Sequence, residues 1–131
     1  MKAKSQTAQS SLKRRMRQFY NLLNEREFAK CHEMIDPRVR HRPESVTLLH
    51  YSHAAAEFLD QCGAISVVDS SVVLHLNEPN KLYQDRDFAI GKTMWRDDRG
   101  VTHVFAERWV RDGRSWYTRS TGFITAGKVA S

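Results

Sequence analysis

The sequence predicts an α+β domain in which helices come first and a run of antiparallel strands follows. Three observations carry that expectation. Apolar residues recur at three- and four-residue spacing from about Ser11 to Asp36. The stretch from Phe88 to Ile124 reads as three consecutive strands joined by two short turns. In the second turn an Asp112-Gly113 pair separates two apolar, β-branched and aromatic runs, the strongest short-range hairpin signal.

Taken in order, residues 1–10 form a basic lead-in, residues 11–125 a single domain and residues 126–131 a tail. In the first helical segment the apolar stripe is Leu12, Met16, Phe19, Leu22 or Leu23, Phe28, Cys31 and Ile35. A break is expected at Glu25-Arg26-Glu27, and Asp36-Pro37 ends the segment. After a short connection through Pro43, Glu44 or Ser45 can cap a second helix running to about Gln61. Its stripe draws on Val46, Leu49, Ala56 and Leu59, and Cys62-Gly63 stops it. Strand-like sequence begins near Ala64 and continues from Ser71 to Leu76, before a polar turn at residues 77–81.

The turns set a register for the last three strands. With Asp112 and Gly113 as loop residues, Arg111 faces Arg114, Trp109 faces Trp116, Glu107 faces Thr118, Phe105 faces Ser120 and His103 faces Gly122. A four-residue loop Asp97–Gly100 then pairs Arg96 with Val101 and Met94 with His103. Alternation puts Phe88, Ile90, Lys92 and Met94 on the face of Phe105 and Trp109, which is richer in large apolar groups and is assigned to the core. Gly91, Thr93 and Trp95 join Tyr117 and Arg119 on the other face. A slip of one residue in either loop exchanges the faces of a strand.

Composition excludes several classes. No run of eighteen apolar residues and no signal-peptide pattern is present, so no membrane span is expected and the cytoplasm is the default. Cys31 and Cys62 stand far apart without metal-ligand spacing and read as reduced, buried thiols. Of the 21 basic residues, six lie before Phe19 with no acid among them, which leaves 15 basic against 15 acidic residues in the remainder. That arm lacks the interleaved aromatics of a single-strand binder and reads as a solvated helix face, so nucleic acid is not the expected partner. His50 and His53 share one side of the second helix, but no third or fourth ligand is evident, so no metal is expected. There is no glycine-rich phosphate loop and no nucleophile turn.

The helix Phe19-Tyr20-Asn21-Leu22-Leu23-Asn24-Glu25-Arg26-Glu27-Phe28, a second helix, and a meander whose last hairpin reads Trp109-Val110-Arg111-Asp112-Gly113-Arg114-Ser115-Trp116 resemble the nuclear transport factor two-like superfamily. That superfamily includes SnoaL-type cyclases, ketosteroid isomerases and scytalone dehydratases. The resemblance covers roughly residues 12 to 125 and implies helices packed in the concave face of a curved, mainly antiparallel sheet. It also implies an apolar pocket inside this cystatin-like cone, and a homodimer through the sheet. Cofactor-free acid-base chemistry follows from the same comparison, in which an apolar wall raises a carboxyl's pKa and one or two donors stabilise an enolate.

Aligned on Leu22-Leu23-Asn24, the isomerases' oxyanion-stabilising tyrosine falls at Phe19, with Tyr20 one position on. Their general base, which precedes a proline, falls at Arg42, and their pocket acid on the penultimate strand is approached by Glu107. The cyclases' histidine near the end of the last strand has no counterpart in residues 118–123. The expected catalytic pair is therefore Glu107 and His103, in a pocket lined by Phe19, Tyr20, Arg42, Lys92, Met94, Phe105, Trp109, Thr118 and Ser120. Because i and i+4 on a strand lie about 13 Å apart, Glu107 and His103 would flank a ligand rather than form a dyad. The expected function is binding of a small, largely apolar molecule, with a lyase or isomerase step if any. The competing reading is a non-catalytic homodimeric interaction module.

Overall fold

The computed structural model describes residues 2–43 and 45–119. It is an α+β domain: α1 (Lys2–Asn24), α2 (Phe28–Glu33), α3 (Pro37–Arg40) and α4 (Leu48–Cys62) precede β1 (Ser66–His75), β2 (Phe88–Arg96), β3 (Thr102–Asp112) and β4 (Ser115–Thr118). The strands form one curved antiparallel sheet in chain order, and α1 packs along its inner face. Among the described residues, no helix is long and apolar enough to cross a membrane.

Helix α1 buries Ala8, Leu12, Met16, Phe19, Tyr20 and Leu23. It ends where Arg26 adopts φ +59°, with Glu27 N–H donating to Leu22 O and Arg26 N–H to Leu23 O, the paired closure of a Schellman motif. Helix α4 is capped by Thr47, whose Oγ1 accepts from His50 N–H at 3.2 Å, so it starts later than Glu44 or Ser45. Its buried stripe is Tyr51, Ala55, Phe58, Leu59 and Cys62, and Leu49, expected in that stripe, is 66% exposed. The helix stops at Gly63, φ +71°, where a Cβ would collide with the Asp98 side chain.

The sheet departs from the expected register at both turns. Asp97 turns its buried carboxyl inward, and Oδ1 accepts from Arg99 N–H at 2.9 Å and Val101 N–H at 3.1 Å. This draws Val101 into the loop, so Arg96 faces Thr102 and Trp95 faces His103. That one-residue slip exchanges the faces of β2: Ala89, Gly91, Thr93 and Trp95 are buried, while Lys92 and Met94, expected in the pocket, are exposed. Gly91 lets α1 approach closely, since a Cβ there would lie 2.9 Å from Met16 Cε and 3.3 Å from Trp109 Cδ1.

In the second turn the loop residues are Gly113 and Arg114, with Gly113 at φ +65° in the first central position. Trp109 therefore faces Thr118 and Arg111 faces Trp116, a shift of two that leaves Trp109, Trp116 and Thr118 on the inner face as expected. The expected pairings of Phe105 with Ser120 and of His103 with Gly122 lie outside the described residues.

Two polar clusters tie the ends of the sheet to the rest. After α2 the chain bridges β4, with Asp36 N–H donating to Thr118 O and Thr118 N–H to Met34 O. Asp36, fully buried, takes both Arg86 nitrogens at 2.9 Å and Arg119 Nη1 at 3.0 Å. These bonds hold its carboxyl below the usual range despite burial. Arg86 belongs to the long β1–β2 connection, whose Tyr83 packs on Phe88 and covers one end of the sheet's outer face.

Candidate active site

The inner face of β3 carries Glu107 to the buried side of α1, where Tyr20 is waiting. Tyr20 Oη donates to Glu107 Oε1 at 2.8 Å, and both side chains are buried. Tyr20 reaches this position because it lies beside the Leu12, Met16, Phe19 and Leu23 stripe, and Phe19 meets its ring edge-on with centroids 5.4 Å apart. Glu107 lies between apolar neighbours and, among the described residues, forms no ion pair. Burial pushes its carboxyl up to about 7, and the hydrogen bond from Tyr20 pulls the other way. Burial also raises the Tyr20 phenol well above its ordinary value, reinforced by the Glu107 charge and the shared bond.

Two further hydroxyls surround the pair. Thr93, on the β2 face that the slip turned inward, lies close enough to Tyr20 to favour its phenolate, yet its buried Oγ1 completes no hydrogen bond of standard geometry. Tyr51, from α4, has a buried Oη without a partner among the described residues, and burial together with nearby Cys31 and Glu107 raises its pKa. Tyr51 and Thr93 thus bring two further buried hydroxyls near the raised carboxyl.

Access runs between α1 and β1. A cavity of about 20 Å³ lined by Met16, Tyr20, Ser70 and Thr93 adjoins a groove of about 550 Å³ that Lys13 and Arg17 border from α1. The inner cavity holds one water-sized group. A larger ligand must part α1 from the β1 rim, which carries a bulge between Val67 and Asp69.

Of the expected site residues, Phe19, Tyr20, Trp109 and Thr118 are buried on the inner face with Glu107, and Phe105 is partly buried there. His103 belongs to a different cluster: its Nε2 meets Asp97 Oδ2 at 2.9 Å and its ring stacks on Trp95 at 4.2 Å. Asp97 also binds Arg99 at 2.7 Å, and those bonds hold its carboxyl well below the usual range. Arg42 is exposed on the connection after α3 and does not line the cavity beside Tyr20. Lys92 and Met94 point to the other side of the sheet, and Ser120 lies outside the described residues. His50 and His53 are exposed, and no group of three metal-ligating side chains occurs among the described residues.

Sequence reasoning missed Asp97, Tyr51 and Thr93. Thr93 was hidden by the slip in β2, and Tyr51 by the displaced stripe of α4. The Asp97-Asp98-Arg99-Gly100 turn held a usable signal, because an aspartate at a turn start caps the following amides with its side chain. The chain matches no protein-family model, no curated protein and no solved structure.

Proposed function

We propose that the chain binds a small carbonyl compound whose oxygen is received by the Tyr20–Glu107 pair. The observation that carries this reading is the buried 2.8 Å hydrogen bond between a phenol and a carboxyl pushed up to about 7. While Glu107 is ionised, Tyr20 donates its hydrogen bond to the carboxylate. When Glu107 is neutral, its O–H can donate to Tyr20 Oη, and Tyr20 can then turn its own O–H toward a ligand carbonyl oxygen and stabilise negative charge there without a cofactor. The resemblance to the nuclear transport factor two-like superfamily supports the reading, since the isomerases of that group combine a first-helix tyrosine with an acid on the penultimate strand. A lyase or isomerase step would need Glu107 ionised, as the base that takes the substrate's C–H proton and returns it to the product, with Tyr20 donating to the oxyanion that develops. Arg42, at the isomerases' base position, cannot accept a proton.

The test is thermal unfolding with a panel of small carbonyl, steroid-like and aromatic compounds, below and above neutrality. A ligand at 100 times its dissociation constant adds about 2.7 kcal/mol. The proposal expects a hit that is stronger at low pH, is lost in Tyr20→Phe, and is kept but no longer pH-dependent in Glu107→Gln, whose amide donates to Tyr20 as the neutral carboxyl does. A hit unchanged in both variants would put the ligand elsewhere.

A second reading, a homodimeric interaction module, is favoured by one observation. The outer face of the sheet exposes Val73 at 60%, Val104 at 54% and Met94 at 37%, beside Ile90 and Ala106. A second copy laid on this face would cover them. Sedimentation should then show a dimer that Val104→Asp converts to monomer, and a wild-type monomer at every concentration would remove this reading.

A further inference from the structure

The opposite flank of α1 carries a second cleft, separate from the Tyr20 groove. It encloses about 570 Å³ between α1, α2, the α3 turn and β4, within the range of small-molecule sites. Three cations line it: Arg15 from α1, Lys30 from α2 and Arg40 from α3. Among the described residues Glu33 is the one acid of the lining, and Arg40 Nη1 is tied to its backbone carbonyl at 2.6 Å, not to its carboxylate.

Arg15 is the informative member. Its Nε donates to Trp116 O at 2.9 Å and its Nη1 to Gln18 Oε1 at 3.2 Å, while the guanidinium sits over the Tyr117 ring, 5.4 Å from the centroid. All of these partners are neutral. Elsewhere in the fold the part-buried arginines Arg86 and Arg119 are neutralised by Asp36, and Arg86 also by Asp112. Arg15 is part-buried, with burial lowering its pKa, and has no carboxylate partner among the described residues. Its Nε and Nη1 are held before any ligand arrives, and Nη2 has no hydrogen-bond partner among the described residues.

We propose that this cleft binds a small phosphomonoester, with Arg15, Lys30 and Arg40 as its counter-charge. Three cations and one carboxylate give the lining a net charge of +2, which matches the roughly −1.5 to −2 that a phosphomonoester carries at neutral pH. The fork geometry of arginine suits phosphate oxygens. Leu22 and Met34 supply an apolar wall for the organic part.

The experiment is titration calorimetry of the full chain with phenyl phosphate at fixed ionic strength. Expected is saturable one-to-one binding that weakens about tenfold or more in Lys30→Gln and in Arg40→Gln, exposed or half-exposed positions that leave the Trp116 contact intact. Lys81→Gln, a charge change at an exposed residue outside the lining of this cleft, should leave it unaltered. Arg15→Gln should abolish binding, with folding checked by circular dichroism. Absence of saturation, equal weakening by Lys81→Gln, or no weakening by either Lys30→Gln or Arg40→Gln would overturn the proposal. So would benzoate binding as tightly as phenyl phosphate, which would remove the preference for phosphate. Phosphatidic acid vesicles should not bind in a co-sedimentation arm; vesicle binding without phenyl phosphate binding would assign the cleft to a membrane surface instead.

Discussion

Replacing Glu107 by glutamine keeps the size of the side chain and its ability to accept from Tyr20, and removes the titrating proton. The folded carboxyl is raised from an ordinary 4.5 to about 7 by burial. Between these values the unfolded chain has released its proton and the folded chain still holds it, so the wild type loses stability as pH rises through the window. Integrated from about pH 5 to about pH 8, this group alone costs the folded state roughly 2 to 3 kcal/mol. Glutamine carries no such cost. Urea unfolding should therefore find Glu107→Gln close to wild type at the lower pH and more stable by roughly 2 to 3 kcal/mol at the higher one. Taking the difference between variant and wild type cancels the histidines and every other group that titrates in the same range. A difference that stays flat across the window, or that grows toward low pH, would refute the reasoning, because the first requires a carboxyl that ionises at its ordinary value and the second one that ionises below it.

Other outcomes follow from the remaining polar clusters. Arg86→Ala takes away the bidentate partner of fully buried Asp36 and leaves it Arg119 alone as a cation, and should cost about 3 kcal/mol in denaturant unfolding, the low end for removing one partner of a buried pair. Asp97 has a depressed pKa from Arg99 and His103, so its stabilisation is complete above its ordinary value of 3.8 and is lost as pH falls toward the depressed one. Asp97→Asn should accordingly be less stable than wild type at neutral pH, with the gap closing in acid melts. Replacing Arg26, held at φ +59°, by glycine should relieve about 1 kcal/mol of left-handed strain, offset in part by loss of its exposed contact to Asp60 at 2.9 Å, measurable as a raised Tm.

Element order and type were legible in the sequence because they rest on periodicity: the stripe of α1, its break at Glu25–Glu27 and the meander are where the pattern puts them. What resisted reading was register. Whether Lys92 or Thr93 faces inward depends on one loop residue, and that residue, Val101, is captured by a side-chain turn at Asp97 that alternation does not register. The hairpin at Gly113 was also misjudged, yet a shift of two preserves faces, so Trp109, Trp116 and Glu107 were correctly turned toward the helices. Glu107 was legible as an acid on an inward-facing, largely apolar strand face. His103, expected to flank a ligand with it, proved to be bound to Asp97, and the Tyr20 bond depends on the approach of α1 at Gly91, a property of packing.

The most direct measurement is the titration of Glu107 itself, followed through its side-chain carboxyl carbon by NMR in wild type and Tyr20→Phe. The account predicts a midpoint at about 7 in the wild type and a higher one in the variant, because the Tyr20 hydrogen bond favours the charged form. A wild-type midpoint near 4.5, unmoved by Tyr20→Phe, would contradict it and leave the pair as an ordinary core contact.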